Sequence, residues 1–219
     1  GDRDPEVSWE GPMAVLVNRL SASASEIFAG AVQDYGRGLV IGSQTFGKGT
    51  VQALLPVNEG QLKLTIAKFY RISGKSTQHR GVIPDIEFPS AFDPEEIGES
   101  ALDTALPWDR IRSLRYRPLD TLQARVAQLI DRHQTRIESD PNFKALLQRT
   151  ERALELSNET GISLHLKTRI EEREANNQAL LEIENMRRTA LGLTTIDDVN
   201  ELENEPKDGD PEDDASLME

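Results

Sequence analysis

MAVLVNRLSASASEIFAGAVQDYGRGLVIG, residues 13–42, reads as a strand, a serine-rich turn, a helix and a second strand. Met13 to Val17 is an apolar run of buried-strand length, and Ser21 to Ser25 breaks it. Ile27, Phe28, Ala31 and Val32 then recur at helical spacing. Ser23 or Ser25 can cap the start of that helix, and Gly36 and Gly38 flank its exit into the strand Leu39-Val40-Ile41.

Downstream, Gly47 and Gly49 enclose Lys48 in a flexible turn, and Val51 to Leu55 makes a third strand. Leu62, Leu64 and Ile66 alternate with Lys63, Thr65 and Ala67, the pattern of a half-buried strand running on to Phe69 and Tyr70. Residues 1–90 are therefore expected to be α/β. Asp93 to Trp108 lacks periodicity and holds Pro94, Gly98 and Pro107, so residues 91–110 read as a linker that includes the segment ALPWD. Leu119, Leu122, Val126 and Leu129 then mark an amphipathic helix. Asp140-Pro141 offers an N-cap and a first-turn proline before Phe143, Leu146 and Leu147, and a third helix runs from Lys167 to about Leu191. Residues 111–195 are thus expected as an all-α domain. The acidic stretch 196–219, with Pro206, Gly209 and Pro211, is expected as a disordered tail.

Composition narrows the function classes. Of the formal charge of −13, eleven acids against Lys207 alone put −10 on residues 197–219 and leave −3 on the rest, with no basic stripe to hold the phosphates of a nucleic acid. The absence of cysteine removes disulfides, zinc-thiolate sites and cysteine nucleophiles. No apolar run approaches the roughly 20 residues that span a bilayer, and no secretory leader is visible at the first residues. No Asp, Glu or His cluster has metal-ligand spacing, so neither metal nor cofactor is expected.

The chemistry-bearing pieces are NRLSASASEIFAGAVQDYG, residues 18–36, and GSQTFGKGTVQ, residues 42–52. Small residues around a serine at the mouth of a helix let a substrate backbone approach, and the free N–H groups of a first helical turn point at a developing oxyanion. Ser23 sits there. A serine needs a base, and a lysine serves when burial favours its neutral form. His79, His133 and His165 all lie elsewhere, which leaves Lys48. The pattern alone also admits plain close packing of small residues and a solvated lysine turn. It admits a P-loop too, although Gly49 stands where the magnesium-binding Ser or Thr belongs and the segment runs toward a strand rather than a helix. His79, Tyr70 and Trp108 read as surface or packing residues, and Glu26 as a first-turn helix charge.

SASASEIFAGA, the lysine of TFGKGTVQ placed 25 residues after Ser23, and LKLTIAKFYRISGKSTQHRGVIPDI at 62–86 together resemble the carboxyl-terminal processing peptidases, serine family S41, over residues 11–90. ALPWD and the acidic helical extension are similar to the tail-specific branch found in Gram-negative bacteria. The resemblance implies half of an S41 core of ClpP/crotonase-like fold, followed by the all-α domain. It implies Ser23 as nucleophile, Lys48 as general base and the Ala24 backbone N–H as half of the oxyanion hole. Gln52 matches a glutamine that orients the lysine in some members, and Asp34 an aspartate implicated in the tail-specific branch. Eleven residues of helix span about 16 Å, however, which argues for a structural Asp34.

The same resemblance implies ATP-independent endoproteolysis of proteins with accessible C-terminal tails, in the periplasm. An adaptor would bind through the helical domain, and any membrane association would be peripheral and through partners. It also implies an upstream PDZ module and oxyanion-hole glycine, neither found in these 219 residues, so that the chain alone is expected to be inactive. The alternative function is a non-catalytic helical scaffold.

Overall fold

The computed structural model describes residues 6, 7 and 9–203, so most of the expected tail lies outside the described residues. The chain divides into two compact units, Gly1–Arg136 and Ile137–Glu219.

The first unit is built on β1 (Ala14–Val17), α1 (Ala24–Asp34) and β2 (Leu39–Gly42), the elements expected from the opening stretch. Strands β1 and β2 pair in parallel, Ala14 beside Leu39 and Val17 beside Gly42, so α1 is the crossover that a parallel pair requires. Val17, Ala29, Val40 and Val82 are buried together beneath that helix. Gly42 has a φ of 127° and passes so close to Val17 that a side chain could not fit, which lets β2 finish level with β1. Both strands therefore end at the same edge, and the loops carrying Ser23 and Lys48 leave from there. Carboxyl ends of parallel strands are where open α/β sheets place their sites.

Strands β3 (Thr50–Val57) and β4 (Gly60–Lys68) form an antiparallel hairpin with a register shift between Val51 and Gln52. Neighbouring Leu54 and Leu55 are 61% and 42% exposed, and because consecutive strand residues point to opposite faces, neither face of the hairpin is covered. A two-stranded hairpin left in this way is marginal in water. A two-residue strand, β5 (Ile86–Glu87), completes the parallel sheet beside β2; it is too short for sequence periodicity to register.

The stretch expected as a linker at 91–110 folds back on the first unit. Trp108 Nε1 donates to the Ser76 carbonyl at 2.9 Å, the Arg80 guanidinium lies 4.0 Å from the centre of its ring, and Lys75 bridges to Arg110. Tyr116 meets Tyr35 edge-on at 5.6 Å between ring centres, and the Leu119 amide donates to the Tyr35 carbonyl. The unit boundary falls at Arg136, so α2 (Asp120–Ile137) belongs to the first unit except for its last residue.

The second unit pairs α3 (Pro141–Ser157) with α4 (Leu166–Leu191). Asp140 caps α3 by accepting from the Asn142 and Phe143 amides at 2.9 and 3.3 Å, and α4 stops at Gly192, whose φ is 71°. Asn185 holds both the N–H and the carbonyl of Ile196, which buries that residue at the start of the stretch expected to be disordered. Glu184 is fully buried and accepts from Arg149 at 2.6 Å, Arg187 at 2.6 Å and Arg188 at 3.0 Å. The Arg187 hydrogen bond, against the cost of burial, holds the Glu184 carboxyl below the usual glutamate range. Because its folded value is depressed, its contribution to stability is present above the unfolded value and is lost as pH falls through the folded one. Acidification is expected to loosen the α3–α4 pair in wild type, and Glu184→Gln to remove that component, as read by amide exchange along α4 between pH 6 and 3.

Candidate active site

Ser23 precedes the first residue of α1 with φ 58° and ψ −111°, one of two non-glycine residues at positive φ among the described residues. Such backbone stores strain and persists only where its surroundings hold it. Here the Ser23 carbonyl accepts from the Glu26 and Ile27 amides, and the Ser23 N–H donates to Glu26 Oε2 at 2.8 Å. Ala24, the next residue, has an amide with no acceptor among the described residues, as the first turn of a helix leaves it.

Glu26 carries the arrangement. It is fully buried, and beyond Ser23 it accepts from the Lys48 N–H at 2.9 Å, the Gly47 N–H at 2.7 Å and Thr45 Oγ1 at 2.5 Å. Burial raises its carboxyl above the ordinary range, although the bonds from Thr45, Gly47, Ser23 and Lys48 all pull the other way. The Ser23 and Lys48 amides share one oxygen, Oε2, so the two backbone nitrogens are separated by no more than 2.8 and 2.9 Å laid end to end. Two residues 25 apart in sequence are thereby brought side by side.

The loop that bears Lys48 is fixed along its length. Thr45 N–H donates to the Val82 carbonyl, Phe46 N–H to the Ser21 carbonyl and Gly49 N–H to Gln78 Oε1, so every amide from Thr45 to Gly49 has a named acceptor. Gly47, with φ 93°, packs so tightly on the backbone of His79 that a side chain there would collide. The Lys48 side chain is half-buried, with no carboxylate in ion-pair range among the described residues.

The other candidates separate. Gln52 lies exposed on β3 and its amide donates to Thr65 Oγ1 across the hairpin at 3.4 Å. Asp34 closes the far end of α1, where it accepts from Arg71 at 2.6 Å and from Ser73 Oγ at 3.0 Å. With both partners of that ion pair nearly buried, Asp34→Ala leaves an uncompensated guanidinium, at a cost of about 3 kcal/mol. A thermal melt several degrees lower is the expected reading. His79, expected on the surface, is half-buried at φ 64°, and its amide donates to the Gly47 carbonyl.

Sequence reading undervalued Glu26, although its place three residues after a helix-capping serine is the capping-box spacing and could have marked it. Thr45 and Gln78 carry no such signal.

Known proteins give the arrangement a context. Residues 1–88 match peptidase family S41, and residues 92–219 match the C-terminal domain of tail specific protease. The Tail-specific protease of Haemophilus influenzae is 40% identical over 94% of this chain and 31% of its own length. The Carboxy-terminal-processing protease of Bartonella bacilliformis is 55% identical over 37% of this chain and 19% of its own length. A solved photosystem II D1 C-terminal processing protease is 42% identical over 38% of this chain and 21% of its own, with a TM-score of 0.33. The chain thus spans under a third of the length of these relatives. Two consecutive matches, together reaching from the first residue to the last with only residues 89–91 between them, place this chain among the tail-specific proteases of serine peptidase family S41.

Proposed function

We propose that this chain carries the Ser-Lys centre of an ATP-independent endopeptidase that acts on proteins selected by their C-terminal tails. The supporting observation is the Glu26 carboxylate, which joins the amides of Ser23 and Lys48 on one oxygen. In this reading the neutral Lys48 amine takes the Ser23 Oγ proton as that oxygen attacks the scissile carbonyl, and the Ala24 N–H accommodates the oxyanion. The lysine returns the proton to the leaving amine; water, deprotonated by the same lysine, then releases the acyl group from Ser23. Gln52 and Asp34 hold the hairpin and the far end of α1 rather than the reacting atoms.

The uncovered hairpin and the short coverage of the relatives both favour a larger protein in which further chain packs on β3 and β4 and supplies a second oxyanion donor. The 219 residues alone are accordingly expected to cleave an unstructured tagged protein at background rate, and robust turnover by them would overturn that part. The proposed setting is the periplasm, with an adaptor engaging the helical unit; no helix among the described residues is long and apolar enough to cross a membrane. Fractionation of cells expressing the complete protein tests the setting.

A fluorophosphonate probe reacting with the complete protease tests the centre. Label mapped to Ser23, and absent after Ser23→Ala, is the expected result. Cleavage with no adduct at Ser23 would overturn it, and an inert protein that still binds partners through its helices would favour the scaffold.

A further inference from the structure

The turn Asp93–Ala101, which opens the C-terminal-domain match, is bonded to the Lys48 loop at three points. Arg19, 1% exposed, donates to the carbonyls of Pro94 and Ile97 on the turn and, at 2.5 Å, to the Thr45 carbonyl on the loop. The Glu99 amide donates to the Phe46 carbonyl at 2.9 Å. Gln78 makes the third link: fully buried, it accepts from the Gly49 N–H at 2.9 Å and donates Nε2 to Glu99 Oε1 at 3.0 Å. The amide can sit only one way round, because the Gly49 N–H must meet its oxygen and the Glu99 carboxylate its nitrogen. Nothing in the Ser-Lys chemistry uses this pair.

We propose that Gln78 is a positioning residue for Lys48, set in turn by Glu99, so that the first turn of the C-terminal segment is part of the catalytic scaffold. The proposal rests on the Ser-Lys reading. Gly49 follows Lys48 directly, and its amide is the only one in the 45–49 stretch whose acceptor is tied onward to that turn by a side-chain bond. Drawing the turn away removes the acceptor that orients Gln78 and frees the carboxyl-terminal side of the lysine, while Glu26 still holds its amide. Movement of the 93–101 turn is thereby converted into a change in turnover.

The test exchanges the two groups in the complete protease. Gln78→Glu sets carboxylate against carboxylate, and kcat on an unstructured tail-tagged substrate is expected to fall at least 30-fold with KM within twofold. Its deficit relative to wild type should shrink as pH is lowered, because one shared proton restores the bond. Glu99→Gln alone keeps an acceptor oxygen and should stay within threefold of wild type. Gln78→Glu combined with Glu99→Gln restores both bonds with the roles reversed; it should recover kcat to within threefold and return the exchange rate of the Gly49 amide to the wild-type value. A double variant that fails to recover kcat, folded or not, overturns the proposal, as does a Gln78→Glu enzyme with wild-type kcat. Activity surviving Lys48→Ala would instead remove the Ser-Lys reading, whatever the Gln78 variants do.

Discussion

Lys48→Ala in the complete protease is expected to lower kcat/KM on an unstructured tail-tagged protein by about 10⁴-fold or more, and Ser23→Ala by at least as much, since members of a nucleophile-base pair fail as a unit. Lys48→Arg should be as inactive as alanine, because a guanidinium stays charged and cannot accept the serine proton. The structure separates this loss from misfolding. Glu26 holds the backbone N–H of Lys48, not its side chain, and the side chain forms no hydrogen bond or ion pair among the described residues. Alanine therefore leaves the 45–49 loop as it is, and the melting temperature should stay within about two degrees of wild type. A folded Lys48→Ala enzyme with even a tenth of normal turnover would mean that another group takes the proton.

How much of this was legible in the residues depends on range. The strand-helix-strand unit was readable because its signals are local: the apolar runs MAVLV and LVI mark strands, and the spacing of Ile27, Phe28, Ala31 and Val32 marks a helix. The face that helix buries is nevertheless Glu26, Ala29, Gly30 and Val32, with Ile27 and Phe28 about half exposed and Leu16 of the first strand facing outward. Ser23 and Lys48 stood out as residue types without a histidine nearby. What put them together was not readable, because it depends on the parallel register of β1 and β2 and on a buried carboxylate that looks, in sequence, like any acidic residue in a first helical turn. The 91–110 stretch misled for a related reason. Pro94, Gly98 and Pro107 suppress periodicity, yet Arg19, 78 residues from Ile97, reaches across to gather that turn, and no local pattern records a contact at that separation. Helix length alone set Asp34 away from the serine, and α1 runs from Ala24 to Asp34, but the Arg71 partner of Asp34 came only with the fold.

Glu26→Gln changes one atom and is expected to reduce kcat/KM by about 10²-fold, the scale of a misplaced catalytic group. Four donors converge on this carboxylate: the amides of Ser23, Gly47 and Lys48 and the Thr45 hydroxyl. A carboxylate has lone pairs for all four; a carboxamide has one oxygen, and three of the four groups facing it are amide N–H donors that cannot accept from its NH₂. If the oxygen keeps Thr45 and Gly47, which share Oε1, the nitrogen turns against Ser23 and Lys48, which share Oε2, and pushes apart the two residues that react. Unmet buried donors cost about 1–3 kcal/mol each, so the variant should also melt lower. The pH dependence carries a second signature. Burial raises the folded value of Glu26, so wild type has this contribution in full below the unfolded value and loses it as pH rises through the folded one. Glutamine has no proton to lose there, and the stability gap between the two proteins should narrow as pH climbs from 4 toward 8. Denaturant titrations across that range measure the gap, and equal kcat/KM with a constant gap would show that the carboxylate neither aligns the pair nor carries a burial penalty.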